Sequence, residues 1–297
     1  MKPIAFSGTF TALVTPFRAG AEEVDFEALH ALVEAQIAGG VVGLVPCGTT
    51  GETPTLSAEE QLRVIRAVVQ VAAGRVPVIA GTGSNHTAAS IAASRAALEV
   101  GADGVMVMMP YYNKPSPAGM KAHCVAVARA VDAPVVLYNI PGRTVVDLAA
   151  DTTEAICEAA PNVVALKDAT GNVVRCQEVK RRLGDRLAVM SGDDGLVLGM
   201  VATGAAGVIS VSSNVIPDRV SAVTDELSQG NFAAARSLHL ELLPFHRAMF
   251  AEPNPAPAKA GLAMRGMMAP DVRLPLVPAT DATRATVREE LSRLGVL

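Results

Sequence analysis

The sequence predicts an α/β fold, a single (β/α)8 TIM barrel followed by a small helical C-terminal appendage. Three observations predict it. Short apolar, β-branched runs alternate with longer Ala-rich helical patterns along the chain, the mark of βα units and a parallel sheet. Eight such runs can be counted, the number a closed barrel needs. The 297 residues are 50% hydrophobic, 18% charged and only 3% aromatic, so the core is built mainly from Ala, Val, Leu, Ile and Met.

The strands are expected to begin near Thr9, Val42, Pro77, Gly104, Pro134, Val163, Leu187 and Ala206. Between them, Asp25 opens a helix that Gly39 and Gly40 close. Ser57 with Glu60 three residues on is a capping box; Leu62, Ile65 and Val69 follow on one helical face, and Gly74 stops it. Ser116 and Pro117 supply an N-cap and a first-turn proline, and Gly101 and Gly204 end two further helices. After the eighth strand the pattern is helical only: residues 221–250, then 257–268, then 283–294 with Val287, Leu291 and Leu294 at helical spacing. Pro253, Pro255 and Pro257 mark a turn between the first two of these. No linker composition interrupts the chain before about residue 220, so a catalytic barrel over residues 1–222 and a helical region over 223–297 are expected.

The net charge of −4 carries no basic run, and with few aromatics to stack bases the composition argues against a nucleic-acid partner. No stretch approaches the roughly 18 apolar residues of a spanning helix. The segment Met1-Lys2-Pro3-Ile4-Ala5-Phe6-Ser7-Gly8 has no apolar signal core, so a cytoplasmic location is expected. Cys47, Cys124, Cys157 and Cys176 are scattered, as are the five histidines, and neither set has metal-ligand spacing; buried thiols and no metal are expected.

Barrel active sites form at the carboxyl ends of the strands. There the sequence places Gly48-Thr49-Thr50-Gly51-Glu52, Tyr111-Tyr112-Asn113-Lys114-Pro115, Tyr138-Asn139 with Arg143, Lys167, Gly192-Asp193-Asp194 and Ser210. Lys167 directly follows Val163-Val164-Ala165-Leu166 and should point into the barrel mouth, whereas Lys2, Lys114, Lys121, Lys180 and Lys259 sit in polar or helical context. Desolvation lowers a lysine's pKa and makes its amine a nucleophile; a lysine salt-bridged at the strand end is the other reading of the same position. Tyr138 lies one βα unit earlier, at the same height, where a phenol can exchange protons with that amine; Thr49 can relay them. Singly these two also fit a barrel-lining tyrosine and a turn threonine. The Gly-bounded loop at 48–51 offers backbone and hydroxyl donors to a carboxylate but lacks the P-loop ending. Asp193 and Asp194 could ligate Mg²⁺, yet a pair opening a helix reads rather as an N-cap.

Together, Gly48-Thr49-Thr50-Gly51-Glu52, Tyr111-Tyr112-Asn113-Lys114-Pro115, Tyr138-Asn139-Ile140-Pro141-Gly142-Arg143-Thr144 and Leu166-Lys167-Asp168-Ala169-Thr170-Gly171 resemble the dihydrodipicolinate synthase and N-acetylneuraminate lyase superfamily over essentially the whole chain. The resemblance implies that Lys167 forms an imine with pyruvate and that Thr49, Tyr138 and Tyr112 relay protons, Tyr112 reaching in from a neighbouring subunit. It implies that Thr50 contacts the pyruvate carboxylate, that Gly192 and Ile209 line its pocket through backbone groups, and that Arg143 receives the carboxylate of the second substrate. Thr49 and Arg143 favour the branch that condenses pyruvate with L-aspartate 4-semialdehyde to 4-hydroxy-tetrahydrodipicolinate, in lysine and diaminopimelate biosynthesis. A pyruvate-linked lyase or dehydratase acting on a sugar acid is the nearest rival, and a silent barrel that senses a small carboxylate is a rival of another class. No dissociable cofactor is implied beyond the covalent imine on Lys167. A homotetramer of two tight dimers is implied. So is a lysine-feedback cleft near Thr53, Pro54, Ala58, Gln61, Asn85, Ala89 and Tyr111. There Ala89 replaces the glutamate common in sensitive members, so L-lysine is expected to inhibit poorly.

Overall fold

The computed structural model describes residues 4–297; Met1, Lys2 and Pro3, which open the N-terminal segment read above, lie outside the described residues. Eight parallel strands form one sheet: β1 (Gly8–Ala12), β2 (Gly43–Val45), β3 (Ile79–Gly81), β4 (Gly104–Met108), β5 (Val135–Asn139), β6 (Val163–Asp168), β7 (Ala188–Ser191) and β8 (Gly207–Ser210). Each begins within two residues of its expected start. The order β2-β1-β8-β7-β6-β5-β4-β3 closes through a parallel bridge between Leu44 and Val78, with the Leu44 N–H donating to the Pro77 carbonyl at 3.0 Å. This is the (β/α)8 barrel.

The helices are α1 (Phe26–Ala38), α2 (Ala58–Ala72), α3 (Thr87–Glu99), α4 (Pro117–Arg129), α5 (Pro141–Thr144), α6 (Ala150–Ala159), α7 (Val173–Leu183), α8 (Val197–Ala202), α9 (Pro217–Ser228), α10 (Phe232–Ala248), α11 (Ala256–Met264) and α12 (Asp281–Arg293). The predicted caps form. The Asp25 carboxylate accepts from the Glu27 and Ala28 N–H groups, Ser57 and Glu60 complete the capping box on α2, and the Ser116 hydroxyl accepts from Gly119 N–H. One expectation fails: the helix read over residues 221–250 is broken at 229–231, where Gly230 takes φ +79°, which leaves α9 and α10 as separate helices. Helix α9 packs on β1 and α1, while α10 packs on α9 and α12.

Side chains from the strands fill the barrel's interior: Phe10, Val45, Ile79, Met106, Val136, Tyr138, Ala165, Met190 and Ile209, with Phe6 stacked on Phe10 at 5.6 Å. Gly43 makes room for this packing, since a Cβ there would stand 2.1 Å from the Phe10 ring. The outer core is continuous with the C-terminal helices: Leu13, Leu44 and Val208 belong to the same buried cluster as Phe245, Leu262, Val287 and Leu291.

Candidate active site

Alternation along β6 turns Ala165 and Lys167 to one side of the sheet, and Ala165 belongs to the interior cluster. Lys167 stands in register with Tyr138 of β5, and its Nζ lies 4.4 Å from the centre of the Tyr138 ring. The lysine is only 4% exposed. Burial pulls its pKa down to about 8, assisted by the Arg143 charge and opposed by the Asp194 carboxylate. Burial likewise pushes the Tyr138 phenol up to about 12, while a hydrogen bond with Thr49 and the charge of Arg143 work against that rise. Lys167, Tyr138, Thr49 and Arg143 therefore influence one another electrostatically. A buried amine with this pKa, beside a phenol that stays protonated, is equipped to add to a carbonyl and have its adduct dehydrated.

Thr49 and Thr50 lie on the loop after β2. Inside that loop the Gly51 N–H donates to the Gly48 carbonyl at 3.0 Å and the Glu52 N–H to the Thr49 carbonyl at 3.2 Å. The Thr15 hydroxyl donates to the Gly51 carbonyl at 2.7 Å, and the Thr53 hydroxyl to the Gly48 carbonyl at 3.0 Å. Cys47 and Glu52, which flank the loop, both adopt φ of 55°, a left-handed backbone that the surroundings must hold in place. Glu52 is held by Lys259: both side chains are fully buried, with their charged atoms 2.5 Å apart but off the hydrogen-bond axis. The second Glu52 oxygen accepts from the Arg273 N–H at 2.9 Å. Arg273 in turn spans the Glu60 carboxylate with two nitrogens, at 2.9 and 2.7 Å.

Arg143 occupies α5, directly after β5. The Asn139 side chain orders this connection, donating to Asp147 at 2.9 Å and accepting from Leu148 N–H at 3.0 Å. Asp147 is bound in turn by Arg175 at 2.6 Å. Arg143 itself is exposed at the barrel mouth, where its guanidinium is free to meet a second carboxylate.

A cavity of about 720 Å³ opens here, with Gly48, Thr49, Tyr111, Tyr138 and Arg143 on its walls. It continues between α2 and α3 past Thr53, Pro54, Ala58, Gln61 and Ala89, which are six of the seven cleft positions named above when Tyr111 is included. Lys167, Thr50, Gly192 and Ile209 are not among the residues that line it. Gly192 is packed against Ala169, and its N–H is spent on the Asp168 carbonyl at 2.7 Å, which leaves only its carbonyl for a ligand. Ile209 is 1% exposed, its side chain in the barrel interior. Tyr112 is not brought to Lys167 within the chain: it is 88% exposed on the loop after β4, with φ of 71°.

Three features went unread in the sequence. Lys259 lies in helix α11, the helical context read for it, but it is a second buried lysine, also lowered to about 8 by burial. Asp194 is no cap. Asp193 caps the turn by accepting from Gly195 N–H, whereas Asp194 is buried and accepts from the Ser210 hydroxyl and from the Val211 and Ser212 N–H groups, both at 3.0 Å. Asn254, seen only as part of a proline-rich turn, donates from its amide to the Thr50 hydroxyl at 2.9 Å. An asparagine flanked by two prolines is a rigid presentation of an amide, and that was the available signal.

The model of the Dihydrodipicolinate synthetase family matches residues 5–294. The chain is 66% identical to a 4-hydroxy-tetrahydrodipicolinate synthase of Sorangium cellulosum, over 99% of its own length and 98% of the relative's. It superposes on the dihydrodipicolinate synthase of Aquifex aeolicus with a TM-score of 0.95 at 43% identity, covering 98% of this chain and 99% of that one. The chloride-inhibited dihydrodipicolinate synthase of Acinetobacter baumannii, complexed with pyruvate, gives a TM-score of 0.95 at 40% identity, over 99% of this chain and 100% of that one. With its barrel closed and a low-pKa lysine set beside a tyrosine at the mouth, the chain belongs to the dihydrodipicolinate synthetase family.

Proposed function

We propose that the chain condenses pyruvate with L-aspartate 4-semialdehyde to 4-hydroxy-tetrahydrodipicolinate through an imine on Lys167. The neutral amine of Lys167 adds to the pyruvate ketone, and Tyr138, linked to Thr49, returns a proton to the carbinolamine oxygen so that water leaves. Loss of a C3 proton gives the enamine, whose carbon forms a bond to the aldehyde carbon of the second substrate while the aldehyde oxygen becomes a hydroxyl. Arg143 receives that substrate's carboxylate. The substrate's own amine then adds to the imine carbon, closes the ring and releases Lys167. The chain's own groups serve each step, without a dissociable cofactor.

The observation that carries the reading is the buried Lys167, lowered to about 8 and 4.4 Å from the Tyr138 ring. Thr50 is assigned to the pyruvate carboxylate, with Gly192 and Ile209 behind it. The 88% exposure of Tyr112 supports its completing a neighbour's site, and the family likeness suggests a homotetramer of two tight dimers. The four cysteines are buried free thiols, which suits a reducing cytoplasm. Borohydride reduction in the presence of pyruvate should fix one pyruvate-derived group on Lys167, read by peptide mass spectrometry, and turnover should require L-aspartate 4-semialdehyde. Labelling on another residue, or turnover only with a sugar acid, would overturn the proposal.

A further inference from the structure

Thr50 is 2% exposed, and its hydroxyl takes part in one side-chain hydrogen bond among the described residues, in which it is the acceptor. A hydroxyl has one proton and two lone pairs. The Asn254 amide occupies a lone pair and leaves the proton without an acceptor among the described residues. A buried donor without an acceptor is costly unless a ligand supplies one. Were the amide reversed, its oxygen would take the proton and Thr50 would have nothing to give an anion.

The segment carrying Asn254 is confined, and the Asn254 amide oxygen is itself buried without a hydrogen-bond partner among the described residues. Asn254 is 6% exposed between Pro253 and Pro255, just before α11. Five residues on, Lys259 grips Glu52, two residues beyond Thr50 in the same loop. One short piece of the C-terminal region therefore clasps the β2 loop at two points, a hydroxyl and a carboxylate.

We propose that Asn254 is a positioning residue that sets the direction of the Thr50 hydroxyl, so that Thr50 donates its proton to the carboxylate of the 2-oxo acid bound at Lys167. This rests on the pyruvate reading of the site. The test compares borohydride trapping of Lys167 by pyruvate and by pyruvamide, which has the same ketone without the negative charge. Wild type should be trapped at much lower concentrations of pyruvate than of pyruvamide. Asn254→Ala should raise the half-saturating pyruvate concentration about tenfold, and Asn254→Asp, whose carboxylate would claim the Thr50 proton, about thirtyfold or more. Trapping by pyruvamide should change less than about threefold in both, since uncharged binding does not use that donor. In a Thr50→Val background, Asn254→Ala should have almost no further effect on pyruvate, because a residue that acts through Thr50 is silent without it. Parallel losses for both ketones, or full additivity in the double variant, would overturn the role of Asn254. Failure of wild type to be labelled by pyruvate would instead remove the pyruvate reading itself.

Discussion

Replacing Lys259 by Met keeps the length and apolar stem of the side chain and removes only the charge. In the wild type, Lys259 and Glu52 are both fully buried, 2.5 Å apart, and the Lys259 ammonium also lies 4.1 Å from the centre of the Phe17 ring and donates to the Asp271 carbonyl at 2.9 Å. Breaking a buried pair from one side costs about 3 to 5 kcal/mol, because the remaining charge is left uncompensated. The Arg273 N–H stays on the second Glu52 oxygen, and the Arg273 guanidinium is near enough to feel Glu52, so the lower end of that range, about 3 kcal/mol, is expected. For a chain of this size the apparent Tm should fall by about 5 to 15 °C. The double replacement Glu52→Gln, Lys259→Met should recover much of the loss. Calorimetry or denaturant melts decide: a single-variant loss under about 1 kcal/mol, or a double variant no better than the single, would refute the assignment of an unpaired buried charge.

Imine trapping by pyruvate should accelerate with pH, reach half its maximum near pH 8 and level off about one unit above that, because about a tenth of Lys167 is already neutral at pH 7, against about one in three thousand for an ordinary lysine; a rate still climbing at pH 10 would contradict this. Arg143→Ala should weaken use of L-aspartate 4-semialdehyde by about 2 to 5 kcal/mol while sparing pyruvate trapping, a split visible in the two KM values. Tyr112→Phe and Tyr138→Phe chains, each nearly inactive, should regain partial activity when reassembled together, and verified mixed dimers without activity would place Tyr112 outside the neighbour's site. L-Lysine should inhibit weakly or not at all: Ala89 offers no carboxylate in the α2–α3 cleft, and Glu52 is already committed to Lys259. Initial rates at saturating pyruvate test this, with submillimolar inhibition as the contrary result.

Much of this architecture is local and so was legible. The strands are short, largely apolar runs ended by turn residues, and the caps at Asp25, Ser57 and Ser116 are short-range hydrogen bonds written within three positions of sequence. Lys167 was legible for the same reason, since alternation after an apolar run fixes where it points. The break at Gly230 was missed because helical periodicity continues on both sides of it and a single glycine is compatible with a helix interior. The neighbouring aspartates were treated alike, yet only Asp193 makes its bond locally; the partners of Asp194 lie on the next strand and the turn after it. Lys259 and Asn254 were illegible as site residues because their partners, Glu52 and Thr50, are some two hundred positions away. Such pairings follow from how the tail is laid over the barrel.

That the tail and barrel share one core has a practical consequence for making chimaeras. A chain cut after Ser228 would retain all eight strands together with Lys167, Tyr138, Thr49 and Arg143, and by inspection of those residues alone it would look intact. It would nevertheless have removed Phe245, Leu262, Val287 and Leu291 from the buried cluster that also holds Leu13, Leu44 and Val208, and released the β2 loop from Asn254 and Lys259. Barrels exchanged between relatives should therefore travel with their own tails. A graft that mixes the two must match positions 50 and 52 of the recipient to the donor's 254 and 259.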